Sequence, residues 1–348
     1  MPSSFEHALI VGKFAPPHRG HQLLIETALA EAARVTVLVW SNPDFPSMPS
    51  ARRAEWLREL YSNEGPSRLT VHVPTQPPLD DAPDEVQQSF TRAWLLEHGL
   101  RPDVVYTSEA YGEPLAARLG ARHREVDRAR VRVPVSGTLL REDVHAHRRF
   151  LDPRVYRHFV ERVVLLGAES TGKTTLAARL AADFGTVWVP EYGREHYEQR
   201  GGRLEFEDYL EIARRHRELE DEAALRATRY VFVDTNALTT LFFSHYYGRD
   251  SLPALRELAD ECSSRYSRTF VCGDDIPFVQ DGWRDNAVWR ARMQGMVLHD
   301  LIVRGIRYEV VEGSLDQRVA RVREALLRPV ETPPPSRRGW NLGPRPGA

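Results

Sequence analysis

Two short segments hold the residues best suited to chemistry, and each contains one of the only two lysines among 348 residues. These are Lys13 and Lys173; the other 45 of the 47 basic residues are arginines. A compact ammonium and a planar guanidinium are not interchangeable among phosphate oxygens, so the two lysines mark places to look. Gly167-Ala168-Glu169-Ser170-Thr171-Gly172-Lys173-Thr174 fits the pattern G-x-x-x-x-G-K-[ST] in full. It follows an apolar run at 162–166 and opens a helical pattern from Thr175, the context a phosphate-cradling loop requires. Gly167 and Gly172 would let backbone N–H groups, with those of Ser170, Thr171 and Thr175, turn around a β-phosphate. Lys173 would reach the β- and γ-oxygens, and the Thr174 hydroxyl would hold Mg²⁺. Beyond it, Pro190-Glu191-Tyr192-Gly193-Arg194-Glu195 and Asp234-Thr235-Asn236 stand where strands end. Asp234 is expected to complete the Mg²⁺ shell, and Glu191 to orient or deprotonate an acceptor. The plainer reading of either carboxylate is a strand-end cap or a surface ion pair. Gln280-Asp281-Gly282-Trp283-Arg284, ahead of Arg290 and Arg292, reads as a lid supplying Arg284 to a transferring phosphoryl group, or equally as a solvated helix start.

The other lysine stands in Gly12-Lys13-Phe14-Ala15-Pro16-Pro17-His18-Arg19-Gly20-His21. His18 and His21 are three apart, so at a helix start they share one face. Two imidazoles, a lysine and a helix N-terminus form a donor cluster for charge developing on a triphosphate, Gly12 and Gly20 permit close backbone approach, and Gly12 and Phe14 are expected to bind the nucleotide. A metal site is the rival, but no third ligand stands nearby in sequence. Further on, Ser136-Gly137-Thr138-Leu139-Leu140-Arg141 reads as a loop entering a helix, offering hydroxyls, N–H groups and a fixed charge to the β- and γ-phosphates of ATP.

The elements that must position these groups alternate in type. Strands are expected at 7–11, 35–40, 69–73, 104–107 and 124–126, with helices at 20–33, 52–61 and 87–98. Asp152-Pro153 opens an expected connector helix over 151–161. The alternation then restarts, with strands at 162–166, 187–189, 230–233, 269–272 and 308–311, and helices at 175–183, 206–227, 252–266, 287–304 and 315–327. Such alternation implies two parallel-sheet α/β domains, 1–150 and 162–328, joined by a 151–161 connector. The stretch 329–348, rich in Pro, Gly and Arg, reads as a disordered tail.

These motifs together resemble one family. G-K-F-x-P-x-H-x-G-H with S-G-T-x-x-R is the signature pair of the nucleotidylyltransferase α/β phosphodiesterase superfamily, and it precedes a P-loop kinase carrying E-Y-G-R-E. The combination is similar to the bifunctional nicotinamide-nucleotide adenylyltransferase/ribosylnicotinamide kinases of the NadR type, over residues 7–328. Segments 108–112, 126–130, 232–240 and 281–284 share the likeness. The resemblance implies a Rossmann-like nucleotidylyltransferase domain and a P-loop kinase domain. It implies two steps of NAD salvage with ATP as co-substrate and Mg²⁺: nicotinamide riboside to nicotinamide mononucleotide (NMN), then NMN to NAD and pyrophosphate. Lys173, Thr174, Asp234 and Glu191 would carry the first step; Lys13, His18, His21, Ser136, Thr138 and Arg141 the second. Trp40 or Trp94 would stack on the nicotinamide ring, or serve the core, the commoner use of a buried Trp.

Composition excludes other classes. The formal charge is −2, and basic and acidic residues balance at 20 against 20 up to residue 160 and 27 against 29 beyond it, so no nucleic-acid partner is expected. The first strand is expected within about seven residues of Met1, so the helix-turn-helix of some family members is not expected here. No apolar run reaches the ~20 residues of a membrane span, and Cys262 and Cys272 form neither metal spacing nor a disulfide framework. A cytoplasmic enzyme is expected, and a homo-oligomer is left open. Two rivals stand beside this reading. One is a fused phosphopantetheine adenylyltransferase/dephospho-CoA kinase, disfavoured by Lys13 after Gly12 and by E-Y-G-R-E; the other is a nucleotide sensor with an inactive domain.

Overall fold

A computed structural model describes residues 4–277 and 287–328. Arg284, the 280–284 segment and the 329–348 stretch lie outside the described residues. The chain forms two compact units, one running to Val160 and including Ala224–Arg229, the other made of Glu161–Ala223 and the residues from Tyr230 onward.

The first unit has strands β1 (Phe5–Gly12), β2 (Ala32–Val39), β3 (Leu69–His72), β4 (Val104–Thr107) and β5 (Arg122–Glu125), all parallel in the order β3-β2-β1-β4-β5. Its helices are α1 (Arg19–Glu31), α2 (Ser50–Leu60), α3 (Asp84–Glu97), α4 (Gly112–Leu119), α5 (Gly137–Glu142) and α6 (Pro153–Tyr156). Strand periodicity divides the core in two. Ala8, Ile10, Val35, Val37, Val104 and Tyr106 pack on one face with Leu24, Ile25 and Ala28 of α1. Leu9, Leu38 and Val105 turn the other way, onto Trp94, Leu95, Leu115 and Ala116 of α3 and α4. After β1 the chain pairs β2 on one side, and only later β4 on the other. A crevice therefore opens above the C-terminal ends of β1 and β4, where such sheets bind ligands.

The second unit has strands β6 (Glu161–Leu166), β7 (Val187–Val189), β8 (Tyr230–Asp234), β9 (Arg268–Cys272) and β10 (Glu309–Val311), parallel in the order β10-β9-β6-β8-β7. Its helices are α7 (Lys173–Asp183), α8 (Tyr192–Gln199), α9 (Asp208–Ala224), α10 (Ala237–Gly248), α11 (Pro253–Arg265), α12 (Ala287–Val303) and α13 (Leu315–Leu327). Val163, Leu165, Phe232 and Phe270 bury against Leu176 and Leu180 of α7 and Val322 of α13.

The connector is the main departure from the sequence reading. Asp152 does cap a helix with Pro153 in its first turn, but that helix stops at Tyr156 rather than running to 161. Val155 and Tyr156 are already buried, and the continuous apolar run Val163–Leu166 is drawn into the second sheet. Helices α4, α8 and α10 were not expected. The first two are eight residues each, and α10 buries all of residues 237–241 at its start, so it shows no single apolar stripe there.

Candidate active sites

In the first unit Gly12, Lys13, Phe14, His18, His21, Ser136, Gly137, Thr138 and Arg141 all line one cavity of about 390 Å³ at the C-terminal ends of the strands. His18 is the N-cap of α1 rather than its first helical residue. Its Nδ1 accepts from the His21 N–H at 3.4 Å, and His21 Nδ1 accepts from the His18 N–H at 3.3 Å. The two rings stack at 3.7 Å between centroids. With both Nδ1 atoms occupied as acceptors, each neutral ring carries its proton on Nε2, which remains free to donate. Burial, reinforced by the charge of Arg130, pushes His18 down to about 4. Burial, then His18 and Arg130, holds His21 well below the ordinary range. The pair therefore offers two neutral donors at pH 7. Gly20 keeps the space beside them open, since a Cβ there would stand 3.0 Å from His18 Cε1.

Ser136 caps α5 by accepting from Leu139 N–H at 3.1 Å. Arg141 donates to the Ala15 carbonyl and to Thr138 Oγ1, both at 2.9 Å, with its guanidinium 5.0 Å from the centre of the Phe45 ring. Lys13 is turned to Asp80 at 2.7 Å, and both side chains are largely exposed. Trp40 lines the cavity, whereas Trp94 belongs to the core and stacks on His98 at 3.8 Å.

Sequence gave no sign of Arg53. It is fully buried, donating from Nη1 to the carbonyls of Lys13 and Trp40 (the latter at 2.9 Å) and from Nε to Met48 O at 2.8 Å. One guanidinium thus fastens the ends of β1 and β2 where the site begins. Among 45 arginines nothing in its spacing distinguishes it.

In the second unit β6 runs into the glycine loop and α7 starts at Lys173. Gly167 takes φ 135°, and a Cβ there would lie 2.8 Å from Cys272 O. Lys173 Nζ rests on the loop carbonyls of Gly167 (3.1 Å) and Ala168 (2.8 Å). Thr174 Oγ1 donates to Asp234 Oδ2 at 2.5 Å. The other oxygen, Asp234 Oδ1, is buried without a hydrogen-bond partner among the described residues. A hydroxyl beside an unsatisfied buried carboxylate is a hard-oxygen donor set that fits Mg²⁺. Glu191, the N-cap residue of α8, is raised above the usual carboxylate range by burial; Lys173 opposes this and Asp234 adds to it.

Two buried side chains missed by sequence hold the loop. Gln294 accepts from Ala168 N–H at 2.8 Å and donates to Cys272 O at 2.9 Å. Arg318 donates to Thr171 O at 2.7 Å and to Asp275 Oδ1 at 2.5 Å. Arg290 donates to the carbonyls of Ile276 and Asp274 at 2.9 and 3.1 Å, so it braces the segment after β9 rather than projecting as a lid charge. His196, Asp208 and Glu211 bring three ligand atoms together, but Asp208 already accepts from Arg200, His196 and Glu205 N–H. A carboxylate so occupied reads as an ion-pair hub.

The AAA domain family matches residues 162–318. Over 336 residues the chain is 28% identical to the "Trifunctional NAD biosynthesis/regulator protein NadR" of Escherichia coli K12, covering 90% of this chain and 80% of that protein. The protein of the same name from Salmonella typhimurium LT2 is 28% identical over 334 residues, with the same coverage. A crystal structure of NadR in complex with NR superposes with a TM-score of 0.71 at 20% identity, covering 95% of this chain and 99% of that one. A NadR structure with NAD and AMP-PNP gives 0.69 at 21% identity, with the same coverage. No helix among the described residues is long and apolar enough to cross a membrane.

Proposed function

We infer that this chain, a homologue of the NadR-type NAD biosynthesis proteins, is a two-step salvage enzyme. It phosphorylates nicotinamide riboside to NMN and adenylylates NMN to NAD. The observation that carries this reading is the pairing, in one chain, of the His18–His21 donor crevice with a P-loop whose Thr174 faces the half-satisfied Asp234.

In the second unit the riboside 5′-hydroxyl attacks the γ-phosphorus of ATP. The O5′–Pγ bond forms, the Pγ–O bond to ADP breaks, and the hydroxyl proton passes to a carboxylate. Glu191 suits that task better than Asp234: burial raises its proton affinity, while Asp234 is engaged by Thr174. Lys173 and the loop N–H groups hold the triphosphate. Mg²⁺, when bound by Thr174 and Asp234, would neutralise charge on the β- and γ-phosphates. Gln294 and Arg318 keep the loop in shape from beneath.

In the first unit the NMN phosphate attacks the ATP α-phosphorus and pyrophosphate leaves. The nucleophile is already an anion at pH 7, so no strong base is needed. Rate comes from position and from donors aimed at developing charge. His18 and His21 Nε2–H, the α1 N-terminus, Ser136, Thr138 and Arg141 supply those donors; Lys13 joins them by leaving Asp80, an exposed pair worth at most about 1 kcal/mol. Both reactions belong to the cytoplasm.

The test is a substrate-resolved assay with ATP and Mg²⁺, riboside and NMN being offered separately and products read by chromatography. NMN from the riboside and NAD from NMN are expected. NAD formation without riboside phosphorylation would remove the kinase half of the reading. ATP binding without either product would favour a sensor, and turnover of pantetheine substrates the other fused enzyme.

A further inference from the structure

Strands β7 and β8 register Val187 with Val231 and Val189 with Val233. The chain therefore leaves the sheet side by side at Pro190-Glu191 and at Asp234-Thr235. One buried side chain spans the gap behind these two exits. His216 of α9 accepts from the Tyr192 N–H on Nδ1 at 3.5 Å, and its Nε2 faces the Thr235 carbonyl at 3.2 Å. An N–H can only donate and a carbonyl can only accept, so the neutral ring with its proton on Nε2 satisfies both partners.

Thr235 gives this bridge its significance. It is β-branched and sits at φ 67°, a conformation that persists only where surroundings over-determine it. Its N–H is tied to Leu165 O at 3.0 Å and its carbonyl to His216, so the strained residue is held from both sides. The imidazole is backed one turn along α9 by Glu220, whose Oε1 lies 3.9 Å from Nε2. Glu220 is itself fixed by Arg265 and by the Tyr266 hydroxyl, each at 2.7 Å. An apolar residue at 216 would fill the same space but leave the buried Thr235 carbonyl and the half-buried Tyr192 N–H without this partner.

We propose that His216 is a positioning residue for phosphoryl transfer, setting Glu191 against Asp234 by fastening the backbone immediately after each. The inference rests on the kinase reading of this unit. His216 touches no reacting atom; it acts through Tyr192 and Thr235. Displacement of about 1 Å between acceptor base and phosphate site is worth on the order of 10²-fold in rate.

The test compares His216→Phe, His216→Gln and wild type in the full chain. His216→Phe is expected to lower riboside-phosphorylation kcat about 30- to 100-fold, with KM for ATP within about threefold of wild type. NAD formation from NMN by the same molecules should be unchanged, and retained ATP binding by the second unit reports its intact folding. His216→Gln keeps a donor for Thr235 and should recover at least about tenfold of the loss. Hydrogen exchange at the Tyr192 amide should quicken by about tenfold or more in His216→Phe. Unchanged kcat would overturn the proposal, as would parallel loss of kcat, ATP affinity and thermal stability with no rescue by Gln. If His216→Phe does not fold, His216→Gln against His216→Asn, which is too short for Thr235, makes the same comparison. If wild type phosphorylates no riboside, the kinase reading fails. Exchange at Tyr192 then still decides the bridge, and equal rates in wild type and variant would dismiss it.

Discussion

His18 and His21 cap each other: each Nδ1 accepts the other residue's backbone N–H, and the rings stack 3.7 Å apart. This arrangement excludes protons. Burial brings His18 to about 4 and His21 well below its ordinary value. A histidine whose folded pKa is depressed contributes stability that is full above the unfolded value of about 6.5 and is lost as pH falls toward the folded one. Wild type should therefore lose stability relative to His18→Ala between about pH 6.5 and pH 4. The ring signals of both histidines should stay those of neutral imidazole from pH 8 to pH 5.5. An imidazolium spectrum at pH 6 would contradict the donor assignment.

A neutral Nε2–H aimed at developing charge acts mainly in the transition state. His18→Ala should lower NAD formation about 10²- to 10³-fold with only a few-fold change in ATP affinity. Gly20→Ala reaches the same group indirectly, by placing a methyl 3.0 Å from His18 Cε1, and should lower kcat about tenfold. Steady-state kinetics with independently measured ATP binding checks both. Loss confined to affinity would assign His18 to ground-state binding.

The two loops were legible because their chemistry is local. Gly167–Thr174 and Gly12–His21 each put donors, glycines and a lysine within ten residues, and the strand–helix alternation places both at strand ends. What sequence could not show is long-range. Arg53, Gln294 and Arg318 act on carbonyls and N–H groups as far as 147 residues away, and each looks like any other polar helix residue. The reciprocal capping was hidden too, because i, i+3 spacing suits two residues inside a helix as well as an N-cap and its third residue. Helix α10 escaped for the opposite reason: residues 237–241 are all buried and 245–248 all exposed, so no face repeats with a helical period.

Arg53 should be intolerant of conservative exchange. It is fully buried, and its guanidinium serves the carbonyls of Lys13, Trp40 and Met48 as well as Asp44. Arg53→Lys offers one ammonium where a planar fork spans several acceptors, and Arg53→Met leaves the carbonyls unpaired. Each is expected to cost about 2–4 kcal/mol, measured by urea unfolding. NAD formation should fall more than riboside phosphorylation, because the Lys13 backbone is fastened by this residue. A loss of under about 0.5 kcal/mol would mean that water replaces the guanidinium without penalty.

Asp234→Asn keeps the shape of the carboxylate and a partner for Thr174 while removing the charge. Riboside phosphorylation should fall at least about 10²-fold, and more steeply at low Mg²⁺, since the donor set loses its negative charge. NAD formation from NMN should stay within about twofold. Parallel assays on one preparation decide this, and equal loss of both activities would show a defect of folding instead.

Asp208 offers a pH-dependent test that involves neither site. Burial on its own would raise this carboxyl, but Arg200, His196 and the Glu205 N–H together bring it down to about 2. A depressed carboxyl contributes stability that is complete above its unfolded value near 3.8 and disappears as pH falls toward about 2. Asp208→Asn should therefore be destabilised by about 1–3 kcal/mol at pH 7, with the gap to wild type closing below pH 4. Because the lone pairs of Asp208 are taken, added Zn²⁺ should leave the wild-type Tm unchanged despite the nearby His196 and Glu211. A Zn²⁺-induced rise in Tm that Asp208→Asn abolishes would instead make these three residues a metal site.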